Sequence, residues 1–183
     1  MPPPLTFLPV TPERWPDMER LFQARGGPKH CWCMVWRPMP AGASRSGSAA
    51  KKTAMESLVR GGTPAGIIGY LEGDPAAWCS IAPRPTYRDL GGPINSSDTP
   101  DAVWSLACFF VLRRLRGQGV SRQLLDAAIA HARDSGASVV EAYPVAPDSP
   151  SYRFMGFAPL FEAAGFERIG AAGSRRQVMR LWL

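Results

Sequence analysis

The chain has 183 residues, 45% of them hydrophobic, which suits one folded domain with a normal core. No apolar run reaches the roughly 18 residues that a membrane span needs, and "MPPPLTFLPV" lacks the positive start and cleavage pattern of a secretory leader, so a soluble cytoplasmic protein is expected. The net charge is +6, but the 21 lysines and arginines are scattered. A basic funnel for a small polyphosphate, or a solvated basic surface, therefore accounts for the charge better than nucleic acid does.

In chain order, "LTFLPV" (5–10) reads as a strand. Thr11 and Pro12 open a helix whose buried stripe is Trp15, Met18, Leu21 and Phe22, with Pro16 marking a later true start and Gly26-Gly27-Pro28 ending it. Arg37 to Ala50 is poor in apolar residues and reads as a loop. "KKTAMESLVRGG" predicts a second helix with Ala54 and Leu58 inward, joined by Met55 and Val59. Two strand-like runs flank Glu72-Gly73-Asp74-Pro75 between Gly66 and Arg84, which predicts a hairpin.

After a loop, "VWSLACFFV" (103–111) is apolar on both faces, as a central strand is. The next helix carries the stripe Val120, Leu124, Leu125, Ala128, Ile129 and Ala132 and stops at Gly136. "SVVEAYPV" (138–145) predicts a strand and "FAPLFEAAG" a short helix. "FERIG" and "QVMRLWL" close as an antiparallel pair. The predicted order is β-α-α-β-β-β-α-β-α-β-β.

Four cysteines occur: Cys31, Cys33, Cys79 and Cys108. Cys31 and Cys33 form a C-x-C, too close for an unstrained bridge. His30 beside them finds no second ligand pair at zinc-finger spacing, so free thiols and no metal are expected.

The stretch "RRLRGQGVSRQLL" (113–125) follows the central strand directly. A strand, a basic turn with two glycines and a helix start form a device for holding phosphate. The first N–H groups of a helix lack intrahelical acceptors, the helix dipole adds positive potential, and glycine lets the backbone approach an oxyanion. A P-loop needs a lysine after its glycines, and a dinucleotide fingerprint needs a third glycine where Arg122 stands. Neither fits.

Arg114-Leu115-Arg116-Gly117-Gln118-Gly119 instead resembles the coenzyme A signature [QR]-x-x-G-x-[GA] of the GNAT superfamily of acyl-CoA-dependent N-acyltransferases. "LFEAAGF" (160–166) is similar to that superfamily's "LYexxGF", and the element order matches over nearly the whole chain. The resemblance implies one α/β domain over residues 1–183. Its mixed, mostly antiparallel sheet would be split into a V-shaped cleft between the strands of 103–111 and 138–145, with about four flanking helices. It further implies acetyl-CoA as cosubstrate, with pantetheine bonded to backbone near Phe109 and Val111. The pyrophosphate would lie on Arg114, Arg116, Gly117, Gln118, Gly119, Val120 and Ser121.

Acyl transfer to an amine requires a deprotonated nucleophile, donors for the oxyanion and a proton for the leaving thiolate. Many members of the superfamily supply that proton from the tyrosine of "LYexxGF", where this chain has Phe161; the "N-x-x-A" that often precedes it is also absent. Tyr152 is the replacement candidate, with Ser151 and Tyr143 as alternatives. Glu141 is the candidate base, because a charge inside an apolar strand is costly unless paired or useful. Pairing with Arg84 or Arg88 is its alternative role, and a water wire to a distant carboxylate could replace it. Trp32, Trp36 and Tyr87 are candidate walls of an acceptor pocket for an amine or an apolar ring. Cys108 is read as core.

The expected activity is acetyl transfer to a primary amine of a small molecule or peptide by direct attack, with no nucleic acid or membrane partner and a homodimer left open. The alternative is a catalytically silent acyl-CoA sensor.

Overall fold

The computed structural model describes residues 1–183. Seven strands form one sheet in the order β1-β2-β3-β4-β5-β7-β6. They are β1 (Thr6–Pro9), β2 (Ile67–Leu71), β3 (Asp74–Pro83), β4 (Val103–Val111), β5 (Val139–Ala142), β6 (Glu167–Ala172) and β7 (Arg176–Trp182). Every neighbouring pair is antiparallel except β4 and β5. The helices are α1 (Trp15–Gln23), α2 (Ser48–Arg60), α3 (Val120–Asp134) and α4 (Ala158–Glu162). None is long and apolar enough to cross a membrane.

The α1 stripe is as expected: Trp15, Met18, Leu21 and Phe22 are buried. A 3-10 turn over Pro12–Arg14 precedes it, and Pro16 falls in the first helical turn, where its missing N–H has no cost. α2 begins at Ser48, three residues before the expected start, and buries Ala54, Met55 and Val59, while Leu58 is only half-buried. α3 buries all six stripe residues. It ends as a Schellman motif, with Gly136 N–H donating to Arg133 C=O and Ala137 N–H to Ala132 C=O. Each large aliphatic on this stripe contributes about 1.5–3 kcal/mol by leaving water.

The strand expected over 138–145 is shorter. It pairs with β4 only from Val103↔Val139 to Leu106↔Ala142. Pro144 has no N–H to continue a ladder, and Val145 instead bridges to Phe157 and Arg176. At the same level the β3–β4 register shifts between Ser80 and Ile81, which leaves Ala107 as an extra residue on β4. Such a bulge sharpens the local twist, and the two parallel strands diverge there. The sheet thus opens into a V beside residues 107–111, at the strand end that feeds the basic turn.

Candidate active site

The turn after β4 is built as a cradle. Arg113–Leu115 forms a 3-10 turn, Gly117 and Gly119 take φ of +73° and +77°, and Gly119 caps α3. Leu115 and Val120 are buried and anchor the loop, while Arg114, Arg116, Gly117, Gln118, Gly119 and Ser121 are exposed. The backbone N–H groups of Gly117, Gln118, Gly119, Val120 and Ser121 meet no protein acceptor. Five unpaired donors at a helix N-terminus have the chemistry to hold an anion. Gln118 Nε2 donates to Arg114 C=O at 2.7 Å, and Arg116 Nε to Val111 C=O at 2.9 Å, so two side chains brace the loop.

Strand alternation sets what β4 offers. Leu112 N–H donates toward β3, to Ala76 C=O. Phe109 and Val111 therefore turn their backbone groups to the opposite edge, where β5 has left. A cavity of about 620 Å³ runs along this edge, with Phe109, Val111, Arg116, Ser121, Arg153 and Phe157 on its walls. Gly156 lies on the same wall with φ +90°; a Cβ there would sit 2.7 Å from the Phe161 ring. Phe161 is fully buried and packs edge-on against Phe109 and Phe166, so it supports the cavity wall from behind and brings no hydroxyl to it.

A second cavity, of about 230 Å³, abuts the first across Phe109, Phe110 and Phe154, which line both. Its other walls include Cys33, Val35, Trp36, Ala107 and Cys108. Of the three aromatic residues expected there, only Trp36 is present. Trp32 belongs to the core, stacked on Phe22 and Trp15. Tyr87 is buried beneath the Arg37 guanidinium, with its hydroxyl 2.9 Å from Ser80 Oγ. Both are corrections to the expected wall, and their cause is hydrophobic burial against α1 and β3, which spacing along the chain does not reveal. Trp32 and Cys33 have φ of +48° and +58°, uncommon for side chains with a Cβ. That turn is what aims Cys33 at the cavity and Trp32 at the core.

All four cysteines are free. Trp78 Nε1 donates to Cys33 Sγ at 3.3 Å. Hydrogen bonding from Cys108 pulls the Cys33 thiol below its usual value, and the same contact, with burial, holds Cys108 well above.

Glu141 faces neither cavity. It is 2% exposed and sits in a charge network. Its Oε2 accepts from Arg180 Nε at 2.6 Å; its Oε1 accepts from Tyr143 Oη at 2.5 Å and from Arg84 at 3.4 Å. Arg180 also grips both oxygens of Asp98, at 2.9 and 2.7 Å. Pairing with Arg84, one of the two roles open to Glu141, is thus present; Arg88 instead donates to Val35 C=O. Tyr143 is held by Ser105 as well as Glu141, and burial, then the carboxylate, keep its hydroxyl protonated. Ser151 Oγ accepts from Arg175. Sequence reasoning missed Asp98 and Arg180. Arg180, a charge inside the apolar run "QVMRLWL", carries the same signal that singled out Glu141.

The hydrogen bonds from Arg180 hold the Asp98 carboxyl below its usual range. A lowered folded value stabilises the fold at pH above the unfolded carboxyl value of about 3.9. That contribution is lost as pH falls through the folded value. Thermal melts from pH 7 to pH 3 should show it as a fall in Tm below about pH 4, and Asp98→Asn should flatten that part of the curve.

Tyr152 lies outside both cavities, but its ring packs on Trp36 and on Phe154 at the junction. Its φ is +59°, and it is 37% exposed. Arg176 sits over the Trp36 ring, 4.4 Å from its centroid.

Solved structures share this architecture. The ribosomal-protein-alanine N-acetyltransferase of Brucella melitensis superposes with TM-score 0.57 at 18% identity, covering 97% of this chain and 99% of that one. Aminoglycoside acetyltransferase AAC(6')-Ib in complex with ribostamycin and coenzyme A superposes with TM-score 0.62 at 16% identity, over 97% and 93%. The structure of yncA from Salmonella typhimurium with its cofactor acetyl-CoA gives TM-score 0.56 at 16% identity, over 98% and 94%. No curated protein sequence matches the chain. The sequence pattern of the acetyltransferase (GNAT) family matches residues 14–157, and these span the split strand, the glycine turn and all the lining residues of both cavities but Leu160. With most of the chain inside that match, the protein belongs to the GNAT acetyltransferase family.

Proposed function

We propose that the protein transfers an acetyl group from acetyl-CoA to a primary amine by direct attack, and that it is not a silent sensor. The observation that carries this reading is the row of five unpaired N–H groups at 117–121, continuous with a cavity along the open edge of β4. The pyrophosphate would rest on those donors, with Arg114 and Arg116 adding charge-assisted bonds. The pantetheine would lie along Phe109 and Val111, which brings the thioester to the junction with the smaller cavity, where the amine enters.

The amine lone pair attacks the thioester carbonyl, and backbone N–H groups of β4 near Phe109 stabilise the oxyanion. The intermediate collapses by breaking the carbon–sulfur bond. The departing thiolate takes a proton, which we assign to the Tyr152 hydroxyl; solvent returns one, and the amine's surplus proton goes to water. The strained backbone of Tyr152 and its packing on Phe154 support this choice. In this reading Glu141 acts as a positioning residue that holds β5 against β7, and the proton leaves the amine without it.

The test is release of free thiol from acetyl-CoA across a panel of amines, which a sensor would not catalyse. Tyr152→Phe should lower kcat by about 100-fold, the scale of one general acid, and leave acetyl-CoA affinity by calorimetry unchanged. An unaltered kcat would reassign the donor to solvent.

A further inference from the structure

We infer that the acceptor is a compact apolar monoamine, and that an arylamine serves better than an alkylamine of the same size. This deepens the acyltransferase reading and rests on it. The smaller cavity measures about 230 Å³ and has ten lining residues, none of them charged. An apolar cavity of about 150 Å³ accommodates benzene, so this one suits a single ring with small substituents. A sugar polyamine exceeds that space.

Charge points the same way. An ammonium leaving water needs a carboxylate partner or must lose its proton. No Asp or Glu lines either cavity. Glu141, the one buried carboxylate, is engaged by Arg84, Arg180 and Tyr143. The charges that do surround the site are positive: Arg176 over the Trp36 ring and Arg153 on the adjoining wall. They oppose any second cationic group. An arylamine is neutral at pH 7, because its nitrogen lone pair is shared with the ring, and so enters without a base. An alkylamine must first be deprotonated, and the walls offer nothing to do that.

The experiment uses the full chain with saturating acetyl-CoA and three acceptors: 4-methylaniline, 2-phenylethylamine and ribostamycin. The expected order of kcat/KM at pH 7 is 4-methylaniline first, 2-phenylethylamine about 10-fold lower, and ribostamycin at least about 100-fold lower, since a buried unpaired charge dominates such differences. Val35 lines the cavity and is 39% exposed, so Val35→Asp adds a carboxylate without disturbing the core. It should narrow the gap between the first two amines by about 10-fold, because it supplies the missing counter-charge. A best rate with ribostamycin, or an unchanged ratio in V35D, overturns the inference. So does acetyl-CoA binding by calorimetry with no thiol release from either apolar amine, a result that spares the coenzyme site. Failure to bind acetyl-CoA at all overturns the acyltransferase reading and the inference with it.

Discussion

Gly119→Val should abolish acetyl-CoA binding and leave the fold standing. Gly119 holds φ +77° at the cap of α3, a conformation that a β-branched side chain adopts only under strain. A Cβ there would make ordinary contact with Pro2 at 3.4 Å, so the cost lies in the backbone and in the bulk a valine adds to the exposed cradle. The N–H groups of Gly117 to Ser121 would then be either reoriented or covered. Hydrogen bonds to a charged group are worth about 1.5–3 kcal/mol each, so losing two should weaken binding by at least about 100-fold. Calorimetry with acetyl-CoA reads the loss. A thermal melt of the apo protein should move by only a few degrees, because the buried anchors Leu115 and Val120 are untouched. Unchanged affinity would remove the cradle from the coenzyme site.

Glu141→Gln should lower thermal stability without reshaping the pH–rate profile. Two arginines, Arg84 and Arg180, share the carboxylates of Glu141 and Asp98. Arg180 is 1% exposed, so water cannot replace a lost partner. Removing one member of a buried pair typically costs about 3–5 kcal/mol, and Asp98, which still pairs with both arginines, holds the cost here to the low end of that range. For a chain of this size each kcal/mol moves Tm by about 2–4 °C, which puts the expected drop near 10 °C. The amide keeps the shape of the side chain but carries no charge. If Glu141 were instead the base, the variant would keep its melting temperature and lose the acidic limb of its pH–rate curve. Both measurements on one variant separate the roles.

The cradle and the charge network differ in how far the sequence announces them. The cradle is local. Its arginines, both glycines and the helix behind them lie within "RRLRGQGVSRQLL", and helix termini impose the same geometry wherever they occur. The α3 stripe was legible for the same reason, since a period of 3.6 residues is written in consecutive positions. The network is non-local. Arg84, Asp98, Glu141 and Arg180 come from four separate segments, and Glu141 meets Arg180 only because β5 pairs with β7. The sequence showed that Glu141 needed a reason to be inside; it did not show which.

By itself, then, the sequence determined the element order, the faces of the long helices and the glycine turn that opens α3, because each rests on spacing along the chain. Only the tertiary structure decided where the strands part, which aromatic residue faces the smaller cavity, and what the buried carboxylate pairs with. The split depends on a one-residue bulge at Ala107 coinciding with the end of β5. The choice of Trp36 over Trp32 depends on the left-handed backbone of Trp32 and Cys33, which turns the chain there. The pairing of Glu141 depends on partners 57 and 39 residues away. Each is set by packing between distant segments, where burial and charge compensation outweigh any preference encoded locally.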